Sequence, residues 1–342
     1  MRRPLEIALD EWGALERHHL DCRHHLFGAK GRWRRWRYAS LWPYATAWSA
    51  ASALDAAAGT PGLRGGTAWL AGLSCYARPG ELAGTGTLGL EAMVRPPLGP
   101  GGVRYYDDNA WIGLAALRAH VLGESDGFLE LARRLLAFCV SGWSERADWA
   151  LPGGICWHEA PNRGGRNTCA NAPTAALAAR LARPSPDDAA AAWATRIYSW
   201  TATALLRPSG LYGDHLRPDG SLEPTEWSYN QGAMIGAGVA LAEATGEPRY
   251  LDEARALARR ALDHFAAPGR LDREPGVFVA VFIRNLFALD RVDPLPGARA
   301  FAAKWANDQR SGAPTPAGPD GVLARAPLLE VEALLSGAPA AP

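Results

Sequence analysis

An excess of charge of either sign is missing from this sequence: 36 Lys and Arg stand against 35 Asp and Glu in 342 residues, a net charge of +1. So balanced a chain has no overall positive field to draw it onto nucleic acid or an anionic membrane, and polyanionic partners are disfavoured. No run of roughly eighteen apolar residues occurs either, so no transmembrane segment is expected. The opening Met1-Arg2-Arg3-Pro4 leads into Leu5 to Leu9, but Asp10 and Glu11 cut that stretch short of a signal-peptide core, and the expected location is cytoplasmic. Cysteine is sparse: Cys22, Cys75, Cys139, Cys156 and Cys169 are odd in number, widely spaced and form no C-x-x-C pair. That predicts reduced thiols and no structural zinc.

What is present is 48% apolar and 21% charged, the balance of a soluble globular chain of one large domain or two ordinary ones. Disorder, fibre and coiled-coil readings fall away. Fourteen Trp accompany 37 Gly and 26 Pro, a mixture that suggests an aromatic-lined cleft built from loops. Aromatic faces stack on sugar rings, although Trp serves equally well as core.

Apolar spacing is helical along most of the chain, as in Leu114, Leu117 and Val121, in Leu131, Leu135 and Phe138, and in Leu251, Ala254, Leu257, Ala258 and Leu262. The same punctuation recurs between helices: Gly59 to Gly62, Leu122-Gly123-Glu124-Ser125, Pro184 to Pro186 and Thr245-Gly246-Glu247-Pro248. These turns return roughly every 60 residues and each separates two amphipathic helices, the signature of a repeated αα-hairpin. Helices are predicted near residues 6–26, 40–57, 107–122, 126–141, 169–183, 187–206, 229–245, 249–266, 276–290 and 296–309, with a further one near 320–335. Five or six such hairpins can close into a toroid whose inner helices bury small residues, which suits the Ala-rich runs at Ala175 to Ala182 and Ala237 to Ala244. The whole chain, 1–342, is expected to form one catalytic domain, with an extension after about residue 310. The long loops 64–102, 142–167 and 207–228 are where function is expected.

The sharpest local feature is Arg104-Tyr105-Tyr106-Asp107-Asp108-Asn109-Ala110-Trp111, where a Gly/Pro-rich loop gives way to a helix. One Asp would serve as an N-cap. Two adjacent carboxylates repel each other, and such a pair suits a site where one member holds a proton while the other stays ionised. Successive helical residues diverge by ~100°, which allows two carboxyls to flank one bond at roughly 5 to 6 Å, the separation of a retaining glycosidase.

This segment resembles the Asp-Asp signature of glycoside hydrolase family 76, the α-1,6-mannanases, and further segments match in order. Gly153-Gly154-Ile155-Cys156-Trp157 resembles that family's Gly-Gly-Ile-x-Trp, Arg166-Asn167-Thr168-Cys169-Ala170-Asn171 its Lys-Asn-x-x-x-Asn, and Trp227-Ser228-Tyr229-Asn230-Gln231-Gly232 its Thr-Tyr-Asn-Gln-Gly. Val281-Phe282-Ile283-Arg284-Asn285-Leu286 is similar to a weaker segment near the family's C-terminus. The resemblance implies an (α/α)6 barrel, an all-α fold that agrees with the hairpin repeat. It implies Asp107 as nucleophile and Asp108 as general acid/base, with Tyr106, Asn109, Trp157, Asn167, Asn171, Tyr229, Asn230 and Gln231 lining the sugar sites. The implied activity is double-displacement cleavage of α-1,6-mannosidic linkages in mannan or mannosylated glycoconjugates, with no cofactor and no metal. Arg166 and Ser228 depart from the family's Lys and Thr, and the lack of an export signal departs from its mannan-degrading members.

Other clusters read more simply. His18, His19, Cys22, His24 and His25 carry spacings that could mimic metal ligation, but their Arg-rich helical segment reads better as a solvated face. Arg32, Arg34, Arg35 and Arg37 interleaved with Trp33 and Trp36 read as a surface loop with aromatic anchors. Asp214-His215 is a substrate contact or a turn, and Glu159 and Glu226 are the reserve acids. Two further functions compete: a non-hydrolytic mannan-binding or transglycosylating protein of the same fold, and a metal-dependent prenyl-diphosphate enzyme. The last needs an acid at position 111, where Trp111 stands, and a second acidic box that is absent.

Overall fold

The computed structural model describes residues 4–28, 37–161, 164–182, 188–311 and 321–337. Its helices are α1 (Pro4–His19), α2 (Leu41–Ala58), α3 (Ala68–Ser74), α4 (Tyr106–Val121), α5 (Gly127–Ser141), α6 (Thr168–Ala182), α7 (Asp188–Leu205), α8 (Ser228–Thr245), α9 (Pro248–Ala266), α10 (Gly276–Val292), α11 (Ala298–Arg310) and α12 (Gly321–Leu335). Short antiparallel strands join them: β1 (Leu20–Asp21) with β2 (Leu26–Phe27), and β3 (Arg166–Asn167), β4 (His215–Leu216) and β5 (Leu222–Glu223) in one three-stranded sheet.

The even-numbered helices form a closed ring, since α2 packs on α4, α4 on α6, α6 on α8, α8 on α10, α10 on α12 and α12 back on α2. Odd-numbered helices lie outside it, α5 against α4 and α6, α7 against α6 and α8, and α1 against α12 and α2. This is the (α/α)6 barrel that the hairpin repeat predicts. Inner and outer helices differ in composition for a physical reason. From Ser228 to Leu241 every residue of α8 is buried, because a helix walled in by neighbours on all sides has no face for charge. Helix α9, with buried Tyr250, Ala254, Leu257, Ala258, Ala261 and Phe265 at helical spacing, keeps Arg and Glu on its other face. Small residues let the inner helices approach closely: a Cβ on Gly232 of α8 would lie 2.6 Å from the Phe282 Cα of α10. The expected turn between α8 and α9 is closed by Gly246, whose φ of 72° takes the left-handed conformation that ends a helix at low cost.

Two elements differ from the expected ones. The first helix ends at His19 instead of near residue 26, because Asp21 turns the chain. It accepts the Arg23 N–H (3.0 Å), His24 Nδ1 (3.2 Å) and the Tyr38 hydroxyl, and the chain returns through Leu26 and Phe27, whose side chains enter the core. Of the cluster that could mimic metal ligation, His24 faces Asp21 and His25 meets the Trp69 ring edge-on at 4.8 Å. Helix α3 was not expected. It is only two turns long, and its Trp69 and Leu73 are buried in the core, Trp69 stacking on Trp48 at 5.5 Å. Residues 32–36 of the Arg/Trp run and the turn at 184–186 lie outside the described residues. Past residue 310, α12 packs against α2 and α10 and completes the ring. Among the described residues no helix is long and apolar enough to cross a membrane.

Candidate active site

The N-terminal ends of five inner helices point toward one cleft of ≈ 680 Å³. Trp42 from α2, Asp107, Asp108 and Trp111 from α4, Cys169 from α6, Tyr229 from α8 and Phe278 from α10 all line it, each within the first turn or two of its helix. Loops supply Tyr105, Trp157, Asp214 and Trp227, and the short strands β3 and β4 supply Asn167 and His215. Helix N-termini carry a partial positive charge, so carboxylates collect there at reduced cost.

Asp107 and Asp108 are neighbours in very different surroundings. Asp107 Oδ2 accepts the Trp157 indole N–H (3.1 Å) and the Cys169 thiol (3.3 Å), while its Oδ1 accepts the Asp108 backbone N–H (3.0 Å). Burial pushes the Asp107 carboxyl above its ordinary value, and these donors pull it back. For Asp108, burial and then the charge of Asp107 both push upward, and the carboxyl sits well above the ordinary range. Two close carboxyls cannot both ionise cheaply, so the pair holds its last proton more tightly than a lone carboxyl would, and its surroundings favour Asp108 as the holder.

The loop that carries Trp157 is fastened at several points. Tyr106 N–H donates to the Trp157 carbonyl (3.0 Å) and Trp157 N–H to the Gly165 carbonyl (2.9 Å), leaving the indole 39% exposed over the cleft. Arg166, in place of the family's Lys, lies buried with its guanidinium 4.6 Å from the Trp149 ring and donates to the carbonyls of Leu151 and Gly153, bracing the Gly-Gly turn. Asn167 pairs with His215 across β3 and β4, and the Thr168 N–H donates to the Asp214 carbonyl (2.9 Å), so the small sheet sets Asp214 beside the start of α6. On another part of the wall Tyr229 stacks on Phe278 (4.0 Å between centroids), with Trp42 and Trp227 packed on the same ring.

Of the residues expected to line sugar sites, Trp157, Asn167, Asp214 and Tyr229 do line the cleft with the Asp pair. Five do not reach it. Asn109, Asn171 and Gln231 are fully buried and repeat one device: each side-chain amide accepts the N–H and donates to the C=O of a single loop residue, then donates again to the carbonyl four residues before it. The loop residues are Leu90 for Asn109 (2.7 and 3.1 Å), Ile155 for Asn171 (2.8 and 3.0 Å) and Tyr212 for Gln231 (2.8 and 2.9 Å). The third bonds go to Tyr105, Asn167 and Trp227. Their hydrogen-bonding capacity is spent on backbone, so they staple loops to α4, α6 and α8. Tyr106 likewise turns inward and stacks on Phe138 at 4.9 Å. Asn230 lies behind the wall, buried, with Nδ2 3.3 Å from Asp214 Oδ1.

The reserve acids are committed elsewhere. Glu159 pairs with Arg104 (2.9 Å) and Arg78 (3.3 Å), and Glu226 with Arg207 and Ser209 (2.5 Å). His215 lines the cleft, in keeping with the substrate contact considered for Asp214-His215, whereas Trp42 and Phe278 were not singled out from the sequence, and Trp227 and Cys169 stood in the quoted segments without a role. The signal that finds them is position: most stand where an inner helix begins, as Asp107 does. Among the described residues no group of three His, Cys, Asp or Glu side chains could hold a metal ion.

Residues 100–280, more than half of the chain, match the family model of glycosyl hydrolase family 76. A mannan endo-1,6-alpha-mannosidase, DCW1 of Candida glabrata, is 24% identical over 226 residues, which are 59% of this chain and 50% of that protein, so the chain matches about half of its curated relative's length. Among solved structures, the family 76 mannosidase Bt3792 of Bacteroides thetaiotaomicron superposes with a TM-score of 0.81 at 21% identity, over 97% of this chain and 98% of that one. An inactive variant of the α-1,6-mannanase GH76A of Salegentibacter sp. HEL1_6, in complex with α-1,6-mannotriose, superposes with a TM-score of 0.76 at 24% identity, over 97% and 99% of the two chains. With a family match over more than half of the chain, taking in the Asp pair and helices α4 to α9, and the same fold in these neighbours, the chain belongs to glycosyl hydrolase family 76.

Proposed function

We propose that this protein is a retaining glycoside hydrolase that cleaves α-1,6-mannosidic linkages in mannan or mannosylated glycoconjugates, with Asp107 as nucleophile and Asp108 as general acid/base. The observation that carries this reading is the contrast inside the pair: one carboxyl held by three donors, its neighbour left to burial and repulsion. Asp107 attacks the anomeric carbon as Asp108 gives its proton to the departing glycosidic oxygen, leaving a glycosyl ester on Asp107. Asp108, now ionised, takes a proton from water, the water oxygen attacks the anomeric carbon, and Asp107 is released. Both carboxyls are then as they began.

The linkage is supported by the relatives, an endo-1,6-alpha-mannosidase and an α-1,6-mannanase whose variant with two consecutive aspartates replaced is inactive and holds α-1,6-mannotriose. The rings of Trp42, Trp157, Trp227 and Tyr229 offer apolar faces for sugar stacking, and Asn167 Oδ1, which has no hydrogen-bond partner among the described residues, offers an acceptor for a sugar hydroxyl. We read residues 1–342 as one catalytic domain. Five cysteines, odd in number, widely spaced and without a C-x-x-C pair, fit a reducing compartment and support a cytoplasmic place of action.

The test is hydrolysis of α-1,6-mannooligosaccharides followed by proton NMR in its first minutes. Retention releases the α-anomer first. Initial β-anomer would mean inversion and would move one role to a more distant carboxyl such as Asp214, and products longer than the substrate would identify transglycosylation.

A further inference from the structure

Of the five cysteines, Cys169 lines the cleft, in the first turn of α6. Its Sγ lies 3.3 Å from Asp107 Oδ2, the oxygen that the Trp157 indole N–H also reaches at 3.1 Å. A carboxylate oxygen has two in-plane lone pairs. Both of those on Oδ2 are met by side chains from other elements, whereas Oδ1 is met from the start of its own helix, by the Asp108 backbone N–H at 3.0 Å. The Tyr229 hydroxyl sits beside the same thiol, and the thiol is 4% exposed. Burial and the neighbouring Asp107 push it well above its ordinary value, so it stands as a protonated donor and not as a thiolate. The family pattern quoted above, Lys-Asn-x-x-x-Asn, leaves position 169 open, so the contact is read from this chain's own geometry.

We propose that Cys169 is a positioning residue for Asp107: its S–H and the Trp157 indole N–H pin Oδ2, so that Oδ1 is the oxygen offered to the anomeric carbon. Two donors on one oxygen also fix the plane of the carboxylate, and an attacking oxygen gains most from being held on line before the substrate arrives. A thiol suits the position because it donates weakly. It orients Oδ2 while withdrawing less charge from the nucleophile than a stronger donor would.

The inference rests on Asp107 being the nucleophile, and the experiment separates the two. The pH dependence of kcat/KM is measured on an α-1,6-mannooligosaccharide for wild type, Cys169→Ala and Cys169→Ser. Losing the S–H removes a donor from the ionised carboxylate, so the acid limb of Cys169→Ala moves to higher pH by roughly 0.5 to 1 unit, with roughly fivefold lower kcat/KM at the optimum. The hydroxyl of Cys169→Ser restores the limb to within about 0.3 unit of wild type. A side chain that merely fills space would treat the two variants alike and leave the limb in place, and an unmoved limb in active Cys169→Ala overturns the proposal. Cys169→Val, which keeps the bulk and lacks the donor, makes the same comparison if the alanine variant does not fold. Asp107→Ala, assayed alongside with and without azide, tests the underlying reading. Turnover surviving without azide removes Asp107 from the nucleophile role, whereas azide rescue as a glycosyl azide with an unmoved Cys169→Ala limb sinks only the role of the thiol.

Discussion

Replacing Asn171 with Ala should cost far more than an ordinary polar-to-alanine change, although Asn171 touches no substrate. Its amide is fully buried and holds Ile155, also fully buried, by both backbone groups: N–H to Oδ1 at 2.8 Å and Nδ2 to the carbonyl at 3.0 Å. Alanine leaves that N–H and C=O without partners in a place water does not reach. Each orphaned group costs about 1–3 kcal/mol, so the pair amounts to about 4 kcal/mol, before the lost bond to the Asn167 carbonyl is counted. Against a total stability of roughly 5–15 kcal/mol, the variant should remain folded only narrowly at ambient temperature. Its activity should fall too, because Ile155 lies two residues before Trp157, whose indole holds Asp107.

Urea unfolding of wild type and variant, followed by fluorescence from the fourteen Trp, measures the first effect. Initial rates well below the unfolding midpoint measure the second. Asn171→Asp should fare no better than Ala, since it keeps the acceptor for the Ile155 N–H but turns a charged oxygen toward two carbonyls. A loss below about 1 kcal/mol with kcat unchanged would refute the reasoning, because the loop would then be held by its other fastenings and the amide would be incidental.

Asp108→Ala should lose activity severely on natural linkages yet retain a larger share on substrates with good leaving groups, which need no proton; equal loss on both would remove Asp108 from the acid role. The pH profile of kcat/KM should be a bell, its acid limb set by protonation of Asp107 and its alkaline limb, displaced upward by the raised Asp108 carboxyl, by loss of the Asp108 proton; in Asp108→Asn the alkaline limb should vanish. Trp157→Ala should weaken oligosaccharide binding by roughly tenfold through lost stacking and lower kcat through the lost donor to Asp107, and binding unchanged by calorimetry would place the indole outside the sugar path. Glu274, buried against the start of α8 with both oxygens facing Ser228, is raised to about 7 by burial despite those bonds, so the stability contributed by its protonated form is complete below about pH 4.5 and lost as pH rises through 7. Glu274→Gln, neutral throughout, should therefore gain on wild type by about 3 kcal/mol between pH 4.5 and 8, and a pH-independent difference would contradict the assignment.

The barrel was legible because its repeat is local and redundant. A Gly after one helix and an acidic or proline start to the next, as at Gly246 and Pro248, mark a hairpin within a few residues, and the nearly uncharged run of α8 beside the amphipathic α9 distinguishes that inner helix from its outer neighbour without long-range knowledge. Helix α3 escaped for the converse reason, since seven residues with two glycines close before them give too few turns for periodicity to register, and Trp69 is drawn in by Tyr44 and Trp48 from another part of the chain. The Asp pair was legible because adjacency is itself the signal. Its asymmetry was not, for it depends on Trp157 and Cys169 arriving from 50 and 62 residues away.

The amides show most clearly where local reading stops. Asn109, Asn171 and Gln231 stand in the first turn of an inner helix, in segments that also contain true cleft residues, and an amide there presents donors and acceptors suited equally to a sugar hydroxyl or to a peptide group. Which partner it finds is decided by whether a loop folds back over it. Leu90 does so from 19 residues before Asn109, Ile155 from 16 before Asn171 and Tyr212 from 19 before Gln231. At α8 the two fates fall on successive residues: Asn230 turns to the Asp214 carboxyl behind the cleft, while Gln231, ~100° further round the helix, turns to the Tyr212 backbone. The spacing of these three contacts is nearly constant, so an amide in the first turn of an inner helix, preceded by some 16 to 19 residues of loop, is better read as a loop staple than as a sugar ligand.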